Sequence, residues 1–213
     1  MPVITATALR TPFGDLAATR RAWEAGEGRR RALGPLVRDL VDLGREILAQ
    51  VPCECCLVAT TKADLAAWLP ALLEGDGQAG GPGDLAAQME AALGLPTQTV
   101  SAACASGTTA LALAGSWIRQ GRHRRILVLA GDDDHPFIHD GFTALRAIDP
   151  TGCRPFSADR AGLALGPARA ALALGIAGDG PVLTGWGGSL DGRHLTAPDR
   201  EALGLEAACR QAL

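Results

Sequence analysis

The stretch that most constrains the fold is residues 99–120, where an extended run ends at Cys104 and a helix is predicted to follow at once. The predicted helix, residues 106–120, carries Ala and Leu on every face, which is typical of a buried helix. Gly121 and a run of basic residues come after it, and these are usual stop signals at the negative end of a helix. A cysteine at the positive end of a helix is favoured as the thiolate, which is the nucleophilic form of its side chain.

Two interpretations of Cys104 compete, and the residues around it decide between them. Free cysteine is among the most buried residue types, so an inert core cysteine is the default. Residues 101–107 read Ser-Ala-Ala-Cys-Ala-Ser-Gly, however, which resembles the nucleophile turn of β-ketoacyl synthases, members of the thiolase superfamily. Residues 141–147 resemble the family's glycine-phenylalanine segment before an alanine-leucine pair, and residues 153–160 resemble its arginine-proline-phenylalanine-aspartate segment. Three matches in the family's order favour the nucleophile.

The resemblance implies an acyltransferase of fatty-acid or polyketide-type biosynthesis. By this resemblance Cys104 is the catalytic residue, which accepts an acyl group from an acyl carrier protein for decarboxylative Claisen condensation. Its backbone N–H is the expected oxyanion donor, and Phe142 is the expected substrate-binding residue. The resemblance implies no cofactor and no metal.

Parts of the family's site are absent from this chain. The family's two catalytic histidines and its active-site lysine lie in its second half, beyond residue 213, so neither His194 nor Lys62 is assigned their roles. Two supporting segments also differ, because residues 166–169 read Gly-Pro-Ala-Arg and residues 160–163 read Arg-Ala-Gly-Leu. Condensation needs a nucleophile, an oxyanion hole and enolate stabilisation, so the chain alone is not expected to condense substrates.

Three interpretations of function therefore stay open. The chain is a catalytic half whose second half lies on another chain or is missing from this sequence, a non-catalytic partner like chain-length factors, or an inactive truncated remnant. Members of the family dimerise through this half, so a homodimer, or a heterodimer with a ketosynthase-like chain, is expected. The apolar side of the last predicted helix, with no second sheet to cover it, also predicts association.

The order of predicted elements indicates an α/β fold. Strands are predicted near residues 3–8, 53–60, 126–130, 169–174 and 182–185, with a further short strand ending at Val100. Helices are predicted near residues 16–25, 36–51, 66–73, 84–93, 106–120 and 199–213. This order fits a thiolase-like half: a five-stranded mixed, mostly parallel sheet with helices on both faces. Residues 1–180 are predicted to form the N-terminal thiolase-like domain. Residues 181–213 are predicted to begin a truncated second half, with its first strand and helix.

Composition excludes several other classes. The 213 residues are 47% hydrophobic with a net charge of -3, which argues against disorder and against a nucleic-acid partner. No apolar run approaches the roughly 20 residues of a membrane span, and the start does not read as a signal peptide, so a cytoplasmic location is expected. An exposed basic loop containing Arg29, Arg30 and Arg31 is more typical of solvated surface than of a carrier-protein contact.

Two polar clusters are compatible with metal binding but do not favour it. The first cluster, residues 53–56, has one C-x-x-C spacing but no second pair at the spacing of a zinc site. We therefore interpret Cys53, Cys55 and Cys56 as core residues, with Cys53 and Cys55 on one strand face. Residues 132–135 read Asp-Asp-Asp-His, and consecutive residues in a loop converge poorly on one ion. His139, four residues beyond His135, is interpreted as surface polar.

Overall fold

The computed structural model describes residues 1–25, 33–193 and 198–213, and a five-stranded sheet forms its centre. The strands are β1 (Val3–Arg10), β2 (Cys55–Ala59), β3 (Thr97–Val100), β4 (Arg125–Asp132) and β5 (Ala168–Gly175). The helices are α1 (Leu16–Glu24), α2 (Leu36–Leu48), α3 (Leu65–Leu73), α4 (Pro82–Leu93), α5 (Ser106–Arg119), α6 (Pro136–Ala144) and α7 (Leu203–Ala212).

The sheet is mixed, with strand order β1-β5-β4-β2-β3. Strand β2 pairs in parallel with β3 and with β4, whereas β5 runs antiparallel to both β4 and β1. Four strands therefore share one direction, which confirms the mostly parallel sheet predicted from the sequence. The carboxyl ends of β2, β3 and β4 meet at one edge, where open α/β sheets bind their ligands.

Helices cover both faces of the sheet, as the sequence predicts. On one face, α2 buries the stripe Leu36, Leu40, Leu43 and Ile47, whose spacing of three and four residues places them on one side of the helix. On the other face, α5 packs Ala110, Ala114 and Ile118 against the sheet residues Leu57, Ile126 and Val128. The central strands are buried on both sides and can place functional groups rigidly at their ends.

Helix α5 is less enclosed than its composition indicates. Its sheet-facing residues are buried, but Thr108 and Thr109 near its start are exposed and Leu113 is half-buried. The sheet covers only one side of the helix, and the other side is approached at Gly115 by Leu183 and Trp186. The prediction of burial on every face is therefore wrong within the described residues.

The strand predicted for residues 182–185 is also wrong. Val182 forms one isolated antiparallel bridge with Val3, and no strand continues from it. Leu183 donates a hydrogen bond to the Pro2 carbonyl at 2.9 Å, but Pro2 has no N–H to return, so a regular ladder with β1 does not extend beyond Val182. Helix α7 instead packs on the residues that follow, where a Cβ built on Gly185 or Gly187 would lie 1.9 Å from a helix carbonyl oxygen.

Two smaller features complete the comparison with the sequence. Helix α4 begins at Pro82, two residues before the predicted residue 84, with Gly81 at its N-cap, so Asp84 does not cap the helix. Asp84 instead accepts a hydrogen bond from the Gly80 N–H at 2.7 Å. Across the described ranges, no helix combines the length and the apolar character needed to cross a bilayer.

Candidate active site

A cavity of about 380 Å³ lies at the carboxyl edge of the three parallel strands. The turn after β2 contributes Thr61 and Lys62, and the turn after β3 contributes Ala103 and Cys104. The end of β4 and the residues after it contribute three consecutive carboxylates, those of Asp132, Asp133 and Asp134. An apolar wall completes the cavity and consists of Ile138, Phe142, Leu165 and Gly166. Both residues that the sequence nominates, Cys104 and Phe142, therefore line one cavity.

Cys104 lies directly before α5, and its side chain is exposed rather than packed in the core. The N-cap of α5 is Ala105, which makes no side-chain hydrogen bond to the first turn of the helix. The positive end of the helix therefore lies at the Cys104 turn with no side-chain cap from Ala105. Exposure excludes the interpretation of Cys104 as an inert core cysteine.

Asp132 links two walls of the cavity. One of its carboxylate oxygens accepts hydrogen bonds from the Thr60 and Thr61 hydroxyls, at 2.9 and 2.8 Å, and from the Thr61 N–H at 3.0 Å. The ammonium group of Lys62 lies 3.7 Å from the same oxygen. Charge-assisted hydrogen bonds of this kind are stronger than neutral ones, so the end of β4 holds the turn after β2 in place.

A buried ion pair lies behind the next carboxylate. Arg169, at the start of β5, is completely buried and pairs with the carboxylate of Asp133. Its guanidinium also donates to the carbonyls of Asp132 at 2.6 Å and Ala168 at 3.2 Å. Sequence reasoning noted Arg169 only as a departure from the family, whereas the structure shows that it fixes the acidic end of β4 from behind.

The apolar wall comes from α6, a helix that the sequence analysis did not identify. Phe142 and Ile138 lie four residues apart on this helix, so both are on one side of it. His135 is its N-cap, and its Nδ1 accepts a hydrogen bond from the Phe137 N–H at 3.2 Å. Pro136 at the first helical position was the sequence signal that could have identified this helix.

No group of three possible metal-ligating side chains occurs within the described ranges.

The segment that resembles the arginine-proline-phenylalanine motif is held by Asp149. The side chain of Asp149 is buried and accepts from the Thr151 hydroxyl at 2.6 Å and the Thr151 N–H at 2.9 Å. Arg154 bridges Asp149 and Asp159, at 2.9 and 3.0 Å. Phe156 is fully exposed, so the motif here holds a loop together and leaves its aromatic ring outside.

We expect Asp149 to make the free energy of unfolding depend on pH in the acidic range. The hydroxyl and N–H of Thr151, followed by Arg154, lower the pKa of Asp149 from 3.8 to about 2. A carboxylate whose pKa is lower when folded stabilises the protein above its unfolded pKa of about 4 and loses that contribution as the pH falls towards 2. Chemical unfolding curves between pH 2 and pH 7 measure this loss.

The matched variants for this prediction are Asp149→Asn and Asp140→Asn. Asp149→Asn is expected to flatten the dependence of stability on pH between about 4 and 2, because the amide does not titrate there. Asp140 is exposed, and its replacement is expected to leave that dependence unchanged. Equal slopes for wild type and Asp149→Asn would show that Asp149 is not responsible.

The remaining cysteines divide by burial. Cys55 and Cys56 lie in the hydrophobic clusters on opposite faces of the sheet, as strand alternation predicts. Cys53 packs with the cluster that contains Cys56, so the prediction that it shares a face with Cys55 is wrong. Strand β2 begins only at Cys55, and the alternation does not extend back to residue 53.

We expect three fast-reacting thiols in the native protein and six after denaturation. Cys104, Cys153 and Cys209 are exposed. Burial raises the pKa of Cys53 and Cys55 to about 11 and raises the pKa of Cys56 further, so these thiols hold almost no thiolate at pH 8. Titration with an aromatic disulfide reagent measures the number, and Cys104→Ala should reduce the native number to two. A fast native reaction of all six would contradict the buried positions.

Two positions considered in the sequence fall outside the described residues: the basic loop with Arg29, Arg30 and Arg31, and His194. A larger cleft, of about 970 Å³, runs along β1 between α1 and α2. Arg10, Arg20 and Asp39 are among the residues that line it, but Cys104 is not. The candidate active site is therefore the smaller cavity, which Cys104 lines.

Comparison with known proteins agrees with this placement. The family model described as the N-terminal domain of β-ketoacyl synthases matches residues 72–176. Nodulation protein E of Rhizobium sp. (strain N33) is 38% identical over 145 residues, which cover 62% of this chain and 35% of the relative. The chain thus spans about a third of the length of the curated relatives that it matches.

Solved structures show the same fold at low identity. The ishigamide ketosynthase/chain length factor superposes with a TM-score of 0.82 at 20% identity, covering all of this chain and 68% of the other. The Xenorhabdus doucetiae ketosynthase ApeO in complex with its chain length factor ApeC gives a TM-score of 0.79 at 19% identity, covering all of this chain and 67% of the other. The fold is therefore that of a thiolase-like ketosynthase.

The matching domain model makes this assignment more specific. Residues 72–176, which contain Cys104, α6 and all of β5, are the part of the chain that matches the N-terminal domain of β-ketoacyl synthases.

Proposed function

We propose that this protein is a β-ketoacyl synthase-like acyltransferase half-site in which Cys104 accepts an acyl group from an acyl carrier protein. The observation that carries the proposal is the exposed thiol of Cys104 on the wall of a cavity that the apolar residues Ile138, Phe142 and Leu165 also line. Such a cavity suits a fatty or polyketide acyl chain, because an apolar wall gains free energy when it covers apolar surface. The pathway is fatty-acid or polyketide-type synthesis.

The proposed step is a thioester exchange. The thiolate of Cys104 attacks the carbonyl carbon of the carrier thioester, a new S–C bond forms, and the bond from that carbon to the carrier sulfur breaks. The carrier leaves as a thiol after taking up the proton that Cys104 lost. The Cys104 N–H and the positive end of α5 are the groups proposed to stabilise the oxyanion between these two events.

Condensation itself requires groups beyond this cavity. No histidine is among the described residues that line it, so enolate stabilisation has to come from elsewhere. We propose that a second ketosynthase-like chain supplies these groups in a heterodimer. The exposed turn around Cys104, from Ser101 to Ala105, leaves one side of the nucleophile open to such a partner.

Intact-protein mass after incubation with an octanoyl acyl-carrier-protein thioester, or with cerulenin, tests the proposal. We expect one adduct on the wild type and none on Cys104→Ala. Cys153→Ala is the matched control, since Cys153 is also exposed but does not line the cavity, and it should keep the adduct. The absence of an adduct on folded wild-type protein would overturn the acyl-accepting role.

A non-catalytic role, like that of chain-length factors, is the second candidate. The buried Arg169 and its pair with Asp133 support it, because Arg169 lies in a segment behind the cavity that departs from the family's supporting sequence. The absence of an adduct, together with formation of a stable complex with a ketosynthase in size-exclusion chromatography, is the outcome expected for this role. An adduct at Cys104 would count against it.

A further inference from the structure

Ser106 lies beneath the Cys104 turn, as the first residue of α5, and is buried. Its hydroxyl oxygen accepts a hydrogen bond from the Ala102 N–H at 2.9 Å. The same oxygen lies 2.6 Å from the Ala103 carbonyl and 3.1 Å from the Thr60 carbonyl, and its single proton is shared between these two acceptors. One small side chain therefore joins the start of the turn to β2.

The residue held by these contacts has a strained backbone. Ala103, directly before Cys104, has a φ of +48°, a left-handed conformation that residues with a Cβ rarely adopt. Such conformations persist only where the surrounding structure over-determines them. The Ser106 hydroxyl bonds on both sides of this residue, to the N–H of Ala102 and to the carbonyl of Ala103 itself.

The contacts continue to Asp132, which also lines the cavity. The hydroxyl of Thr60, the residue whose carbonyl lies against Ser106, donates to Asp132 at 2.9 Å. Ser101 donates a further hydrogen bond to the Thr61 carbonyl at 3.3 Å. The turns after β2, β3 and β4 are thus joined in one network, which sets the position of Cys104 relative to the apolar wall.

We propose that Ser106 is a positioning residue, whose hydroxyl holds the strained Ala103 and so directs the Cys104 thiol into the 380 Å³ cavity. It touches no substrate and acts only through the geometry of the turn. The statement that the cavity holds an acyl chain rests on the proposed function. The statement that the Cys104 thiol points into the cavity does not. Misplacement of a nucleophile by about 1 Å can cost on the order of a hundredfold in rate when the reactant is held.

The test compares two alkylating reagents on the full chain. Iodoacetamide is small and needs only an exposed thiol, whereas N-octyl iodoacetamide gains when its chain enters the cavity. Each forms an S–C bond to cysteine and releases iodide, and peptide mass mapping gives the rate at each site. For each cysteine we compare the rate with N-octyl iodoacetamide to the rate with iodoacetamide. In the wild type we expect this ratio to be higher at Cys104 than at Cys153, which is exposed outside the cavity.

Ser106→Ala is expected to lower the octyl rate at Cys104 about tenfold and to change the iodoacetamide rate by less than about twofold. Ser106→Thr keeps the hydroxyl and should restore the ratio, which a purely structural loss would not explain. Ser116→Ala is the matched control, because this serine lies on the same helix, ten residues further on, and its hydroxyl accepts a hydrogen bond from the Gln120 side chain at 3.1 Å. Ser106→Cys, of similar volume but a weak hydrogen-bonding group, replaces the alanine variant if that variant does not fold.

A wild-type ratio equal at Cys104 and Cys153 would overturn the positioning role, and so would an unchanged ratio in a folded Ser106→Ala or Ser106→Cys variant. Failure of the proposed function has a different signature. In that case the wild type takes no acyl group from a carrier thioester, yet its octyl selectivity at Cys104 still depends on Ser106.

Discussion

Replacing Arg169 with methionine is expected to lower the free energy of unfolding by about 3 kcal/mol, because breaking a buried ion pair leaves its partners uncompensated. The variant removes the donor to the Asp132 carbonyl and the positive charge beside Asp133, whose side chain is mostly buried. Methionine keeps most of the volume, so the loss reports the polar contacts rather than a cavity. Urea unfolding followed by circular dichroism gives the difference.

Arg210→Met is the matched control for this measurement. Arg210 pairs with Glu206 one helical turn away on the exposed side of α7, and pairs of this kind are worth about 0.3–0.5 kcal/mol. Adding Asp133→Asn to Arg169→Met should recover part of the loss, because the unpaired carboxylate is then gone. A loss for Arg169→Met as small as that of the control would contradict the buried pair.

Gly187→Ala is expected to release α7 from the segment on which it packs. A Cβ at this position would lie 1.9 Å from the Ala208 carbonyl oxygen and 2.7 Å from the Cβ of Gln211, so helix backbone must move. Overpacking of this kind costs about 1–3 kcal/mol, and each 1.4 kcal/mol is tenfold in an opening equilibrium. Trypsin should therefore cleave after Arg210, within α7, about ten times faster or more.

The adjacent Gly188→Ala variant provides the control. The added Cβ has no neighbour within 4 Å, and the alanine keeps the N–H that donates to the Gln211 side chain at 3.2 Å. Cleavage after Arg210 in this variant is expected to stay within about twofold of the wild type. Equal cleavage in Gly187→Ala and Gly188→Ala would show that α7 does not depend on the close approach.

Local patterns predicted the parts of the fold that depend on neighbouring residues. The stripe from Leu36 to Ile47 marks the buried side of α2, and the alternation at Cys55 and Cys56 gives opposite sheet faces. The strand predicted at residues 182–185 failed because pairing beyond Val182 needs an N–H from Pro2, which has none, and apolar character alone does not supply it. The division near residue 180 stays a prediction.

The candidate site was predictable where one motif carries it and not where distant segments meet. Cys104 and Phe142 were identified from short motifs, and the structure places both on one cavity. The contacts of Asp132 with Thr60 and of Arg169 with Asp133 join residues 72 and 36 positions apart. No local periodicity encodes such contacts, because they depend on which strands become neighbours in the sheet.

Lys62, which lies 3.7 Å from Asp132 in the wall of the cavity, is the only lysine of the chain. Amine-directed reagents therefore have two targets in this sequence, the α-amino group and one side chain beside the nucleophile. A succinimidyl label that reacts with a side chain of this sequence would therefore modify the candidate site. The same scarcity makes Lys62 a single-site reporter, whose labelling should fall when the cavity is occupied.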